Sequence, residues 1–298
     1  MLNAMRAKLI IVALDILCLG IPALAQNRMS ALVPAYFYPG TEWTALDSAA
    51  ATINVTAIMN PNSGPGASAD PNYAAAVANL RAAGGTSIGY VATGYGTRSL
   101  AAVTAEIDSY RTWYGGANGI HGIFMDEMAN TGSAASLSYY RQIYNYVKAI
   151  NPAWSVVGNP GTTTVESYLN GLSGRTADTL VVFEGSHASY ASYTPSAWNA
   201  NYGPINFANL IYDAPTATTM TSDIDLAAAR FAGSTYVTND VLPNPWDTLP
   251  PYFTQEVGKI SQTSVPEPTG LLLIAAAGTL SWSGRRKRAQ VRDALQGK

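Results

Sequence analysis

The feature that most constrains the fold is a regular alternation between short apolar runs and longer stretches with helical periodicity. The apolar runs predict eight strands, at residues 32–36, 55–59, 87–92, 122–126, 155–158, 180–184, 207–212 and 235–238. The stretches between them predict helices at residues 72–83, 100–113, 135–150, 164–169, 222–231 and 251–259. Strands that alternate with helices indicate parallel strands joined by crossover helices. Eight of them in about 240 residues predict a single α/β domain with a (β/α)8 TIM-type barrel, and a doubly wound open sheet is the alternative.

The two ends of the chain carry patterns typical of processing segments. Residues 1–25 combine a basic start at Arg6 and Lys8, an apolar stretch and an A-x-A cleavage site, which together predict a secretory signal peptide. Residues 264–298 contain VPEP, an apolar run and RRKR, in that order. The apolar run is short for a stable membrane span.

This C-terminal arrangement resembles the PEP-CTERM sorting signal of Gram-negative bacteria. The resemblance implies an exosortase-type sorting protease as a partner and transient membrane contact through the tail. It also implies secretion or display at the cell surface of a Gram-negative bacterium. An ordinary short tail anchor is the alternative interpretation.

Charge and residue types narrow the chemistry of residues 26–263, the predicted folded domain. This segment holds 9 Lys and Arg against 16 Asp and Glu, a net charge of −7. Nucleic acid requires a basic face, so we expect no nucleic-acid partner. The whole chain has two His, and its one cysteine, Cys18, lies in the predicted signal peptide. We therefore expect no disulfide, no metal site and no cofactor, and a Ser-His-Asp triad is disfavoured.

Carboxylates at predicted strand ends are the main candidates for catalysis. Asp126 and Glu127 end the fourth strand, and Glu184 ends the sixth. The C-terminal strand ends of a barrel form its site face, so these acids should lie on one side of the molecule. Hydrolysis of a glycosidic bond uses one carboxyl group as an acid and a second as a nucleophile or base. The structural alternatives are a helix N-cap for the 126–127 pair and an isolated acid at position 184.

The same face should also carry side chains that contact a sugar. Tyr90 lies in the middle of a strand and is expected to contribute less to stacking than Tyr38 or Tyr95. The predicted substrate-binding residues are Tyr36, Tyr38, Asn60, Asn62, Tyr95, Asn159, His187 and Tyr212.

Six short motifs carry a resemblance to a known family. They read LVPAYFYPG, MNPNSGPG, GYVATGYG, GIFMDE, NPG and VVFE, in this order. They resemble spherulation-specific family 4, the spherulin-4-like proteins, over roughly residues 31–260. That family includes glycoside hydrolase family 135, whose characterised members cleave galactosaminogalactan, an α-1,4-linked polymer of galactose and N-acetylgalactosamine. The resemblance implies a (β/α)8 barrel with Asp126, Glu127 and Glu184 as its catalytic acids.

Together these features predict a secreted or cell-surface glycoside hydrolase that cleaves α-linked exopolysaccharide containing galactosamine and galactose. We expect endo cleavage and retention of configuration, with Asp126 as nucleophile and Glu184 as general acid/base. Strand spacing places the ends of strands four and six roughly 10 Å apart before their side chains converge. Either member of the 126–127 pair remains open as the reacting acid. The alternative is a non-catalytic surface or matrix protein that binds polysaccharide through the same cleft.

Overall fold

A closed barrel of parallel strands forms the centre of the molecule. The computed structural model describes residues 27–170 and 174–267. Within them, strand order around the barrel follows chain order. The strands are β1 (Ser30–Ala35), β2 (Val55–Met59), β3 (Thr86–Ala92), β4 (Gly122–Asp126), β5 (Ser155–Gly158), β6 (Thr179–Ser186), β7 (Phe207–Tyr212) and β8 (Ser234–Val237). Ser30 and Ala31 pair with Ser234 and Thr235, which closes the ring and confirms the predicted (β/α)8 barrel.

Helices follow most of the strands and cover the outside of the barrel. They are α1 (Thr41–Ala50), α2 (Pro71–Ala82), α3 (Leu100–Tyr114), α4 (Ala134–Ile150), α5 (His187–Tyr190), α6 (Ala217–Ala229) and α7 (Phe253–Gln262). The start of α2 is as expected from its sequence, because the Asp70 side chain accepts a hydrogen bond from the Asn72 backbone N–H and Pro71 occupies the first turn.

Several helical segments differ from the sequence-based prediction, and the short helix α5 was not predicted. The stretch 164–169 is a short 3-10 turn, Glu166–Tyr168, and not a helix. Helix α1 was not predicted, although its Trp43 and Leu46 are buried on one face. Helix α6 begins five residues earlier than predicted, because Thr216 and Thr219 cap each other's backbone N–H groups.

The strands bury both of their faces. Ala57, Ile58 and Met59 are consecutive in β2, and none of them is exposed to solvent. This follows from the architecture, since helices cover the outside and side chains fill the inside of a parallel barrel. Polar side chains can therefore reach solvent only at the two ends of the barrel.

Backbone strain concentrates at the C-terminal end of the barrel, which we call the mouth. Non-glycine residues rarely adopt positive φ angles, and such residues often mark functional sites. Four of the five such residues among those described follow barrel strands at the mouth: Ser63, Tyr95, Glu127 and Asp213.

The described ends of the chain meet at the opposite end of the barrel. Asn27–Arg28 pairs antiparallel with Ser264–Val265 just before β1 begins. The predicted signal peptide, residues 1–25, lies outside the described residues, as do residues 268–298 of the predicted sorting segment. No helix in the described ranges is long and apolar enough to cross a bilayer.

Candidate active site

Two carboxyl groups meet at the mouth and share one hydrogen-bond donor. The Asn159 side-chain nitrogen donates to Asp126 Oδ1 at 2.8 Å and to Glu184 Oε2 at 2.6 Å. Asp126 ends β4, Asn159 follows β5, and Glu184 lies near the end of β6. Three consecutive strands thus bring two acids and an amide into direct contact. The sequence-based prediction that Asp126 and Glu184 lie on one face agrees with this geometry.

The NPG motif holds Asn159 in this position. The backbone N–H of Asn159 donates to the Met125 carbonyl, and its own carbonyl accepts from Met128, so the residue is fixed to the end of β4. Gly161 has a φ of 64°, a left-handed conformation that favours glycine. Its carbonyl accepts the Glu184 backbone N–H at 2.9 Å. The motif therefore ties β4, β5 and β6 together directly beneath the two acids.

Burial favours the protonated form of the Glu184 carboxyl. Desolvation raises the pKa of the Glu184 carboxyl above its ordinary value, and the nearby negative charge of Asp126 raises it further. Hydrogen bonds from Asn159 and from the Trp246 side chain lower it and offset part of this shift. A carboxyl group with a raised pKa keeps its proton to higher pH and is suited to act as an acid.

Tyr90 contacts the other acid. Its hydroxyl donates to Asp126 Oδ2 at 2.7 Å. Burial and the charge of Asp126 raise the pKa of the Tyr90 phenol well above its ordinary value, so the phenol remains a donor at any physiological pH. Tyr36 packs edge-to-face against Tyr90 with ring centroids 5.6 Å apart. Tyr36 therefore lies next to Tyr90, and its role in substrate binding stays a prediction. The contact of Tyr90 with Asp126 was not predicted.

Trp246 was not predicted at all. It lies in the long segment between β8 and α7, is 6% exposed, and its side chain hydrogen-bonds Glu184. The Tyr212 ring packs edge-to-face against it at 6.1 Å, which places this predicted residue beside the acids. The Trp246 carbonyl also accepts the Tyr36 backbone N–H at 3.3 Å. A loop without hydrophobic periodicity gives no sequence signal for such a contact.

Glu127 points to a different part of the mouth from Asp126. Its φ of 50° turns the chain sharply after β4. Its Oε2 accepts the Gly94 backbone N–H at 3.2 Å, and its carbonyl accepts the Thr93 hydroxyl and the Tyr95 N–H. The side chain thus anchors the loop after β3. Of the adjacent acids, Asp126 is the one in contact with the Asn159–Glu184 pair.

The remaining predicted binding residues lie farther out. Tyr38 and Asn62 are exposed and line a separate cleft. Asn60 accepts the Gly64 N–H through its side chain and so shapes the loop after β2. Tyr95 is 67% exposed at the rim. His187 Nδ1 lies 2.8 Å from Asp223 on α6, and no described hydrogen bond joins it to the two acids.

No group of three or more His, Cys, Asp or Glu side chains within residues 27–170 and 174–267 is arranged to hold a metal ion. The described groups at the reaction centre are two carboxyl groups with phenol, amide and indole donors around them. A (β/α)8 barrel with two carboxyl groups together at its mouth is the architecture of many glycoside hydrolases.

Comparison with known proteins identifies the family. The sequence model of spherulation-specific family 4 matches residues 30–260, and the chain belongs to this family. Spherulin-4 of Physarum polycephalum is 33% identical over 251 residues, which cover 80% of this chain and 72% of that protein. The crystal structure of Aspergillus clavatus Sph3 in complex with GalNAc matches with a TM-score of 0.67 and 25% identity, covering 79% of this chain and 98% of Sph3.

Proposed function

We propose that this protein is a glycoside hydrolase that cleaves an exopolysaccharide containing α-linked galactosamine and galactose, with retention of configuration. The observation that carries the proposal is the shared donor: one amide nitrogen contacts both Asp126 and Glu184. The two bonded oxygens are therefore at most about 5.4 Å apart, an upper limit compatible with the separation of about 5–5.5 Å typical of retaining enzymes. An inverting enzyme needs about 6.5–9.5 Å for its water.

The two acids take different roles in this mechanism. Glu184, with its raised pKa, donates its proton to the glycosidic oxygen as the bond to the anomeric carbon breaks. Asp126 attacks that carbon from the opposite face and forms a covalent glycosyl ester. Glu184, now a carboxylate, takes a proton from water, and the resulting hydroxide displaces Asp126. Two inversions give a product with the anomeric configuration of the substrate.

Neighbouring residues support these steps. Asn159 and Tyr90 fix the orientation of the Asp126 carboxylate through two hydrogen bonds. Glu127 orients the substrate indirectly, because it anchors the loop that carries Tyr95. Tyr36 and Tyr212 provide aromatic surface next to the acids.

The substrate class comes from the family and from charge. Sph3, which shares the fold, was crystallised with GalNAc. The net charge of −7 in residues 26–263 favours a polymer with cationic amino groups over an anionic one. We propose cleavage within the chain, at the surface of or outside a Gram-negative cell, with export through residues 1–25 and sorting by an exosortase-type protease at residues 264–298. Transient membrane contact would come from the tail.

The test compares reducing-sugar release from galactosamine-containing exopolysaccharide by wild type, Asp126→Asn and Glu184→Gln. General acid catalysis contributes about 10²–10⁴-fold, so Glu184→Gln should lose at least two orders of magnitude in rate. The matched control is Glu42→Gln on α1, which removes a carboxylate whose described hydrogen bond is to Thr41 and not to the site, and it should leave the rate unchanged. Wild-type rates in both site variants would refute the assignment of the acids.

Two further readouts test the finer claims. Proton NMR of the first-formed product should show the α anomer from an α-linked substrate, and a β anomer would exclude Asp126 as nucleophile. Early products of intermediate length indicate endo cleavage, whereas monosaccharide alone contradicts it. A wild-type protein that binds the polymer without releasing reducing ends would support the non-catalytic binding protein instead.

A further inference from the structure

A second cleft lies among the loops at the mouth and is separate from the two acids. It has a volume of about 430 Å³ and is formed by the loops after β1 and β2, above the start of α2. Tyr38, Asn62 and Asp70 line it, whereas Asp126 and Glu184 do not. Two residues predicted to bind substrate, Tyr38 and Asn62, thus contribute to this cleft and not to the reaction centre.

Tyr38 is exposed yet held in one orientation. The side chain is 57% exposed, which is unusual for a large aromatic residue. Its hydroxyl donates to Asp70 Oδ2 at 2.9 Å and accepts from the Asn72 side chain at 2.7 Å. Its ring also packs edge-to-face on Tyr73 at 5.4 Å. A ring with fixed orientation can bind a ligand without losing further rotamer freedom.

The floor and walls of the cleft are similarly rigid. Tyr73 is 3% exposed, and the Tyr114 hydroxyl accepts the Asp70 backbone N–H at 2.9 Å. The opposite wall is the loop that contains Pro61 and Pro65, whose proline rings restrict the backbone. The cleft is therefore formed before any ligand arrives.

Asp70 gives the cleft a negative charge that no described residue neutralises. None of the ion pairs in residues 27–170 and 174–267 involves its carboxylate. The adjacent N-terminus of α2 carries only about half a positive charge, so the full charge of the carboxylate dominates. An aromatic face beside a carboxylate that has no described cationic partner suits a ligand with an apolar ring face and a cationic group.

We propose that this cleft is a remote subsite that binds a protonated amino-sugar unit of the polysaccharide, away from the bond that is cleaved. The ring of Tyr38 stacks on the sugar, and Asp70 interacts with its ammonium group. The subsite rests on the proposed function, because a long polymer must extend from the acids across the mouth. It would make the enzyme prefer chains that are long and partly de-N-acetylated.

The test measures binding separately from turnover. Calorimetry in the Glu184→Gln background would use galactosamine oligosaccharides of several lengths and their fully N-acetylated forms. Tyr38→Ala should weaken binding of the long de-N-acetylated oligosaccharides about tenfold, the loss expected for one aromatic contact, and leave the shortest ones unaffected. Asp70→Asn keeps the N-cap of α2 but removes the charge, and it should reduce the preference for the de-N-acetylated form about fivefold.

The outer surface of the barrel offers a matched control pair. The Tyr146 hydroxyl donates to Asp108 at 2.8 Å, between α3 and α4, so Tyr146→Ala and Asp108→Asn remove the same groups elsewhere. Any of three results would overturn the subsite. These are equal effects of Tyr38→Ala and Tyr146→Ala on binding, no binding by any variant, or an unchanged preference for the de-N-acetylated form in Asp70→Asn. If Tyr38→Ala weakens binding but the enzyme with Glu184 intact releases no reducing ends, the subsite would be retained and the hydrolase rejected.

Discussion

Asn159→Ala tests whether the shared donor controls both acids. The variant removes two hydrogen bonds, at 2.8 Å to Asp126 and 2.6 Å to Glu184, and leaves each acid one other partner, Tyr90 or Trp246. Hydrogen bonds to charged groups are worth about 1.5–3 kcal/mol each. If about 2–3 kcal/mol of the total acts in the transition state, kcat/KM should fall roughly 30- to 150-fold.

The pH profile should change in a defined direction. Donation from Asn159 stabilises the ionised form of Glu184 and lowers the pKa of its carboxyl. Removal of the donor should therefore raise that pKa, so Glu184 keeps its proton to higher pH. Because the mechanism needs protonated Glu184 for the first step, the alkaline limb of the kcat/KM profile should move to higher pH.

The assay is the pH dependence of kcat/KM for wild type and Asn159→Ala, with Asn151→Ala as control. Asn151 caps the end of α4, and its loss should move neither the rate nor the limb. Thermal unfolding at each pH checks that the variant stays folded. A large fall in kcat/KM with an unchanged alkaline limb would mean that Asn159 supports the site by packing and does not set the pKa of Glu184. A limb that moves to lower pH would contradict the assigned roles.

Three further variants or measurements follow from the same contacts. Trp246→Phe removes the indole donor to Glu184 but keeps a ring against Tyr212, so kcat/KM should fall about tenfold with the same upward shift of the alkaline limb, while Trp113→Phe on α3 should change neither. Glu256 is fully buried, accepts the Val237 N–H at 2.8 Å, and has a pKa raised well above its ordinary value by burial. The Glu256 carboxyl stabilises the fold while it is protonated, at pH below its unfolded pKa of about 4.3, and this stabilisation is lost as pH rises. The Tm of Glu256→Gln minus that of wild type should therefore increase from acidic to alkaline pH, and a Tm difference that does not change with pH would refute this. Mass spectrometry of the native protein should show loss of residues 1–25 and of about the last 30 residues, and a retained Lys298 would contradict sorting.

The barrel and its acids were predictable because they depend on periodicity. Short apolar runs mark the strands, and a carboxylate at the C-terminal end of such a strand, such as Asp126, must lie at the mouth. The sequence could not decide between Asp126 and Glu127, since alternation along a strand fails where the strand ends. The structure separates them through the φ of 50° at Glu127, which directs that side chain to Gly94.

The contact of Tyr90 with Asp126 was missed for a geometric reason. Tyr90 lies opposite Phe124 in the register of β3 and β4, one inward-facing layer below Asp126. Its length lets the hydroxyl reach the acid above it, whereas position along the strand suggests a buried packing role. Tyr38 and Tyr95 follow the strand ends, yet their loops carry them to the rim. Strand position therefore locates Cα atoms well and the ends of long side chains poorly.

The two ends of the barrel carry different features. The acids, the strained loops and the second cleft all lie at the mouth. The pairing of Asn27–Arg28 with Ser264–Val265 lies at the other end, where the Met29 N–H donates to the Thr263 carbonyl just before β1. While the tail is still attached, the transient membrane contact that we propose for it would begin after Glu267, on the side opposite the acids. The mouth would then face away from the membrane and toward the extracellular polymer, so anchoring and catalysis would not compete for the same surface.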